Sequence, residues 1–360
     1  FFFEYHCFIF MDVAVFAQQF GQAGFQQPRG QQFAEQGLDR DYEEKTTSAI
    51  PANVRMISGC QDAQTSADVS NIAQFGLPPN AGPGGAGGAC TCSFLTAMGQ
   101  NPSPTWLDLL ASIRGVLSQK GFTQIPEMSS SRRMDLAGRF EIQSEAGGKQ
   151  RALIVGINYI GMKGELRGCC NDAKSIKVFL QQRGFRDFRV LTDDGQGDAS
   201  PTKQNILDGF KWLVDGAKAG DSLFFHYSGH GGSLKAEAED EKDGKDETLV
   251  PLDYKKAGQI RDNAILKALV LPLPRGCQLT ALMDCCHSGT VMDLPYMFTA
   301  SDANMQTAQA NLAQTGTAHV PINADFNLNY TLRMVQDVLA NVSTMLNGMG
   351  LGGMMGGINL

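Results

Sequence analysis

The stretch Leu279–Gly289, L-T-A-L-M-D-C-C-H-S-G, reads as a buried strand that stops abruptly in an acid, two thiols, an imidazole and small residues. A plain strand end rarely carries that much polar chemistry, so Cys286 is a candidate nucleophile. Vicinal cysteines after an apolar run also read as buried small hydrophobes, and the stretch alone leaves both readings open. A second stretch, Leu223–Gly232, L-F-F-H-Y-S-G-H-G-G, is another apolar strand that breaks into a glycine-flanked histidine, His230. A thiol near its unperturbed pKa is mostly protonated at neutral pH and needs a base or cation within reach. His230 can meet that need, and the two strand ends together offer a Cys/His dyad. Its neighbours Gly229, Gly231 and Gly232 would let backbone and substrate approach closely, and their N–H groups could hold an oxyanion. His226 and His287 read as structural.

Around these two strands the chain alternates strand and helix from Lys149 onward. Ala152–Asn158 is a continuous apolar run of strand length, as in a parallel sheet covered on both faces. A helix is expected from about Asp172 to Gln182, with Asn171 or Asp172 as N-cap and Gly184 as its stop. Phe188–Leu191 reads as a strand, and Ser200 and Pro201 read as cap and first turn of a helix with the face Ile206, Phe210, Leu213. Ser222–Tyr227, Thr248–Leu252 and Cys277–Met283 read as further strands, with a helix from about Asn263 to Leu271. The expected fold is α/β, a three-layer sandwich with a mostly parallel central sheet, helices on both faces and chemistry at the carboxyl ends of the strands.

Upstream, Asn53–Cys60 reads as a short strand. Ala89–Met98 and Thr105–Leu117 read as helices, the second with an apolar face at Trp106, Leu109, Leu110, Ile113 and Leu117. Residues 1–50, rich in Gln, Phe and Gly beyond residue 12, read as a disordered prodomain. The apolar start is interrupted by Glu4, His6 and Asp12, lacks a basic leader and falls short of a membrane span; Met11 is an alternative start. Residues 130–148 read as a linker, and 301–360 as a tail with one helical stretch, Tyr330–Met345.

The 360 residues carry a formal net charge of −7, with 19% charged residues and no basic block. Nucleic acid and anionic membranes are therefore poor partners. Nine cysteines, an odd count with two adjacent pairs, do not resemble a secreted disulfide framework, and a reducing, cytoplasmic setting is expected. Asp284 and Asp172 fall at the same expected edge of the sheet, where two carboxylates beside a cysteine would favour a cationic substrate side chain. Asp172 also reads as a helix cap. The acidic run Glu237–Asp253 reads as a solvated loop or as clustered oxygen donors for a hard cation such as Ca²⁺.

H-Y-S-G-H-G-G around His230 and D-C-C-H-S-G around Cys286, preceded by R-A-L-I-V-G-I-N-Y and G-C-C-N-D-A, resemble the large catalytic subunit of metacaspases over 149–300. The histidine lies upstream of the cysteine at roughly the 50-residue spacing of caspase-type enzymes. N-V-R-M-I-S-G-C-Q-D-A-Q-T-S-A-D-V, S-F-L-T-A-M and W-L-D-L-L-A-S-I-R resemble the metacaspase small subunit over 52–129, placed before the large one as in the type III members. The resemblance implies a caspase-like sandwich and a cysteine endopeptidase acting on protein or peptide substrates after Arg or Lys. In it Cys286 attacks, His230 protonates the leaving amine, and Asp172, Ser228 and Asp284 form the pocket for the residue before the scissile bond. It further implies activation by Ca²⁺ at Asp246, Asp262, Asn263 and Asp293, and a monomer. The basic pair Arg132–Arg133 in the linker is a candidate self-cleavage site, expected to be dispensable because either subunit order can complete one sheet without a cut. A non-proteolytic scaffold that binds aggregates through the Gln/Phe-rich prodomain is the competing reading, and the intact Cys/His pair argues against it.

Overall fold

The computed structural model describes residues 40–59, 68–69, 86–144, 147–236, 244–286 and 288–348. A seven-stranded sheet runs through the middle, in the order β12-β4-β1-β11-β7-β5-β6. Its strands are β1 (Asn53–Ser58), β4 (Glu127–Ser130), β5 (Gln150–Gly156), β6 (Asp187–Thr192), β7 (Ser222–Ser228), β11 (Gln278–Asp284) and β12 (Tyr296–Thr299). The five strands from β1 to β6 along the sheet are mutually parallel, and β4 is antiparallel to both β1 and β12. The sheet is mixed and mostly parallel, as expected.

Side chains alternate between two cores, because successive strand residues point to opposite faces. Ile154, Phe224, Leu282 and Ile57 face one core. Leu153, Phe225, Met283 and Met56 face the other. Helices α2 (Ala89–Gln100), α3 (Trp106–Gln119) and α4 (Cys169–Gln182) cover the first face. On the second lie α5 (Lys203–Val214), the short α7 (Asp262–Ile265) with its π-helical extension Leu266–Val270, and α9 (Leu328–Gly348). Remaining elements are α1 (Arg40–Ala49), α6 (Tyr254–Ala257), α8 (Asp302–Thr315), the strand pair β2 (Asp68–Val69) and β3 (Gly87–Gly88), and a small antiparallel sheet of β8 (Gly231–Lys235), β9 (Lys245–Leu249) and β10 (Ile260–Arg261). No described helix is long and apolar enough to cross a membrane.

The upstream segment is part of the sheet. Asn53–Ser58 of β1 pairs residue for residue with Gln278–Met283 of β11, the strand that leads into Cys286. That register sets the carboxyl ends of β1, β11, β7 and β5 side by side.

Several expectations need correction. Residues 130–144 of the expected linker 130–148 are not loose: Ser130 closes β4, and Leu136, Phe140 and Ile142 are buried. Buried Arg55 donates through Nη2 to Glu141 O at 2.8 Å, and Arg132 donates to Ile50 O at 2.7 Å and Pro51 O at 2.6 Å. Residues 40–50 are not disordered, since α1 buries Ala49 and leads into buried Ile50. Helix α4 begins at Cys169 after Gly168, so neither Asn171 nor Asp172 is its cap. Helix α5 is capped by Thr202, whose side chain accepts from Asn205 N–H, and not by Ser200; Pro201 O is engaged instead by Leu252 N–H. Strand β9 ends at Leu249 and belongs to the small sheet. The tail holds two helices where one was expected. The prodomain stretch 1–39 and residues 237–243 of the acidic run lie outside the described residues.

Candidate active site

Register sets the two candidate residues at neighbouring strand ends. In the parallel pairing of β11 with β7, Asp284 stands opposite Ser228. Two residues beyond each lie Cys286 and His230. Gly229 N–H donates to Asp284 O at 3.3 Å, which ties the two strand ends and removes that N–H from the oxyanion donors. A methyl group placed on Gly231 would run into Cys286 O, so glycine is required where the histidine loop passes the cysteine loop. Cys286 is half-buried, whereas Cys285 is buried and its carbonyl accepts from Ser288 Oγ at 2.8 Å. Ser288 Oγ in turn lies 2.8 Å from Ser58 Oγ at the end of β1.

His230 is fixed from several sides. Its Nε2 is 2.6 Å from Gly164 O, an arrangement that uses Nε2–H as donor and leaves Nδ1 as the basic nitrogen. Its backbone N–H donates to Tyr159 OH at 2.9 Å, and its carbonyl accepts from Tyr227 OH at 2.8 Å.

Asp172, Ser228 and Asp284 also converge. Asp172 sits in the first turn of α4, where Oδ2 accepts from Ser228 Oγ at 2.7 Å. Gly88 N–H donates to both Asp172 oxygens at 3.0 and 2.8 Å, and Thr91 N–H donates to Asp284 Oδ2 at 2.7 Å. A methyl on Gly88 would overlap Asp284 Oδ2 and lie 2.9 Å from Asp172 Oδ2, so both carboxylates close on one glycine. Each is almost wholly buried, at 2% and 4% exposure. Backbone N–H donors hold both carboxylates in place. Gly88 and Thr91 are the site residues that sequence reading missed; the signal was G-G-A-C-T, a glycine pair opening a helix.

His226 is buried with Nε2 3.2 Å from Thr91 Oγ1, and burial pushes its pKa down to about 3. It is a neutral structural histidine, as expected. His287 lies outside the described residues. Burial pushes the thiols of Cys170 and Cys277 up to about 12, so both stay protonated at neutral pH and neither is a nucleophile candidate.

The expected cation ligands lie on β9, in α7 and in the turn that follows the Cys286 loop. Asp246 on β9 is fully buried; its Oδ2 pairs with Arg261, and its Oδ1 is buried with no hydrogen-bond partner. Asp262 is fully buried, accepting from Glu247 N–H and Asn263 N–H at 2.6 Å each. Asn263 follows it. Asp293 stands in a left-handed turn with φ 46°, its N–H donating to Thr290 O. Thr290 Oγ1 donates to Glu247 Oε2 at 3.1 Å, which links β9 to that turn. Among the described residues no three of His, Cys, Asp and Glu close into a ready-made metal cluster. The donors are nonetheless hard oxygens, and the orphaned Asp246 Oδ1 fits a cation ligand.

A family model described as the metacaspase peptidase C14 domain matches residues 150–295, and one described as the caspase domain matches residues 10–137. Metacaspase III c of Phaeodactylum tricornutum is 45% identical over 279 residues, 74% of this chain and 82% of that protein. Metacaspase-1 of Mycosarcoma maydis is 55% identical over 166 residues, and Metacaspase-1 of Schizosaccharomyces pombe 49% identical over 166. The chain spans 41% and 39% of the length of those last two relatives.

Proposed function

The chain belongs to the metacaspase family of caspase-like cysteine peptidases, and on that premise we propose that it hydrolyses peptide bonds after arginine or lysine. The observation that carries the specificity is the convergence of two buried carboxylates, Asp172 and Asp284, with Ser228 next to the strand ends that bear His230 and Cys286. A guanidinium or ammonium entering that pocket would be attracted by the two carboxylates, and an acidic side chain would be repelled.

In the mechanism, Nδ1 of His230 takes the proton of the Cys286 thiol, and the thiolate attacks the scissile carbonyl carbon. The imidazolium returns that proton to the leaving amine as the C–N bond breaks, giving a thioester and a free amino terminus. Water, deprotonated by the neutral imidazole, then hydrolyses the thioester and restores the thiol. Gly164 O keeps Nε2 protonated throughout, which holds Nδ1 toward the thiol side.

Ca²⁺ would be held by Asp246, Asp262, Asn263 and Asp293, where its hard-oxygen ligation would lock β9 to the turn that follows the Cys286 loop. We assign the enzyme to a reducing compartment, in keeping with seven free cysteines among the described residues, and to a monomer.

The test is hydrolysis of fluorogenic peptides ending in Arg, Lys or Asp, with Ca²⁺ or EDTA, by wild type, Cys286→Ala and Asp172→Asn. Arg and Lys cleavage should require Cys286 and Ca²⁺, and Asp172→Asn should lower kcat/KM roughly 10²-fold or more, as when one partner of a buried ion pair is removed. Equal cleavage after Asp, or an unaffected Asp172→Asn, would refute the pocket.

A further inference from the structure

The loop 157–168 connects β5 to α4 and carries no reacting group, yet it touches His230 twice. Tyr159 lies with its ring centroid 4.6 Å from the imidazole, tilted by 35°. Five residues on, Gly164 O meets Nε2. Tyr159 is a non-glycine residue at φ 54°, in the left-handed region that costs a bulky side chain energy and persists only where its surroundings enforce it.

The enforcing group is Asp193, just past the end of β6. One of its oxygens accepts from Asn158 N–H at 2.8 Å and the other from Ile160 N–H at 3.1 Å, so a single carboxylate clamps the backbone on either side of Tyr159. Cys170 Sγ, 3.2 Å from Oδ1, adds a third donor. At the far end of the side chain, Tyr159 OH donates to Val250 O at 2.6 Å while accepting from His230 N–H, and Tyr227 OH stands 3.3 Å away, itself bound to His230 O. Tyr159 is 1% exposed and Tyr227 is fully buried, and burial raises both phenols well above their ordinary pKa, so they act as neutral hydrogen-bonding groups. Among the described residues, the titratable side chains that contact His230 are these two tyrosines.

We propose that Tyr159, held in its left-handed conformation by Asp193, is the positioning residue for the catalytic histidine: its hydroxyl fixes the His230 backbone and its ring face supports the imidazolium. The inference rests on His230 and Cys286 being the reacting pair. The ring acts when the imidazole carries the extra proton, because an aromatic face attracts a cation. Asp193 acts at one remove. An amide in its place cannot accept from both flanking N–H groups, since one of its two polar atoms is itself a donor.

The experiment compares wild type with Tyr159→Phe, Tyr159→Leu and Asp193→Asn in the full chain. Rates of Cys286 alkylation by iodoacetamide are followed across pH by peptide mass spectrometry, and turnover is expressed per alkylatable Cys286. Wild type should show the two-step profile of a thiol coupled to an imidazole. Tyr159→Leu should lower the upper, imidazolium-dependent step by about half a pH unit, the size of a partly exposed ring–cation contact. Tyr159→Phe keeps the ring and should keep that step while losing several-fold in kcat. Asp193→Asn should lower kcat roughly tenfold with KM unchanged, part of what a well-placed acid–base group contributes. Variants whose profiles and kcat per reactive thiol match wild type, whatever their melting temperatures, would show a merely structural loop and overturn the proposal. A wild-type profile with a single unperturbed thiol step would instead refute the dyad beneath it.

Discussion

Acidification should destabilise this protein through one buried imidazole. His226 lies inside β7 with no exposed surface, and burial drops its pKa from 6.5 to about 3. The native state thus keeps it neutral, while the unfolded chain takes up a proton as the pH falls below 6.5. Its contribution is fully present above about pH 6.5 and is eroded continuously as the pH drops toward 3. At pH 5 the unfolded state is favoured by about 1.5 pK units of protonation, or about 2 kcal/mol. The comparison is urea unfolding at pH 7.5 and pH 5 for wild type and for His226→Gln, whose neutral amide can still reach Thr91 Oγ1. Wild type should lose about 2 kcal/mol more than the variant over that interval. Parallel losses in the two proteins would refute a neutral His226 in the native state, and with it the reading of the Thr91 contact as a neutral hydrogen bond.

Gly231→Ala would force Cys286 O away from the histidine loop, and kcat should fall about 10²-fold in steady-state assays, the cost of misplacing reacting groups by about 1 Å. Gly88→Ala would push apart the two pocket carboxylates; KM for an arginine peptide should rise by more than kcat falls, read from full saturation curves. Arg132→Gln with Arg133→Gln removes the proposed self-cleavage site together with two hydrogen bonds from Arg132 to Ile50 and Pro51. Stability should fall by about 1–3 kcal/mol in denaturant titrations while activity per folded molecule persists, because β1 reaches its place in the sheet without a cut.

The candidate pair Cys286 and His230 stood out because its signal is local: two apolar strands that each break into polar and small residues can be seen without knowing how they pair. Pairing then placed Ser228 opposite Asp284 and set the dyad two residues beyond. The same locality hid other parts. Asp172 reads as a cap because an acid near a helix start is ordinarily one, and only the tertiary approach of Gly88 gives its carboxylate another task. Leu136, Phe140 and Ile142 are spaced without helix or strand period, so a segment fastened to the sheet by Arg55 and Arg132 reads as linker. Helix α8 buries only Met305 and Ala308, too little to stamp an apolar face on the sequence. The order of the two segments was readable, but that β1 lies between β4 and β11 is a long-range fact.

The most direct test of the central claim is covalent trapping. Wild type treated with a peptidyl-arginine acyloxymethyl ketone and mapped by mass spectrometry should carry one adduct, on Cys286, with none on the buried Cys285. An adduct on Cys285, or equal labelling of Cys286→Ala, would contradict the assignment of the nucleophile.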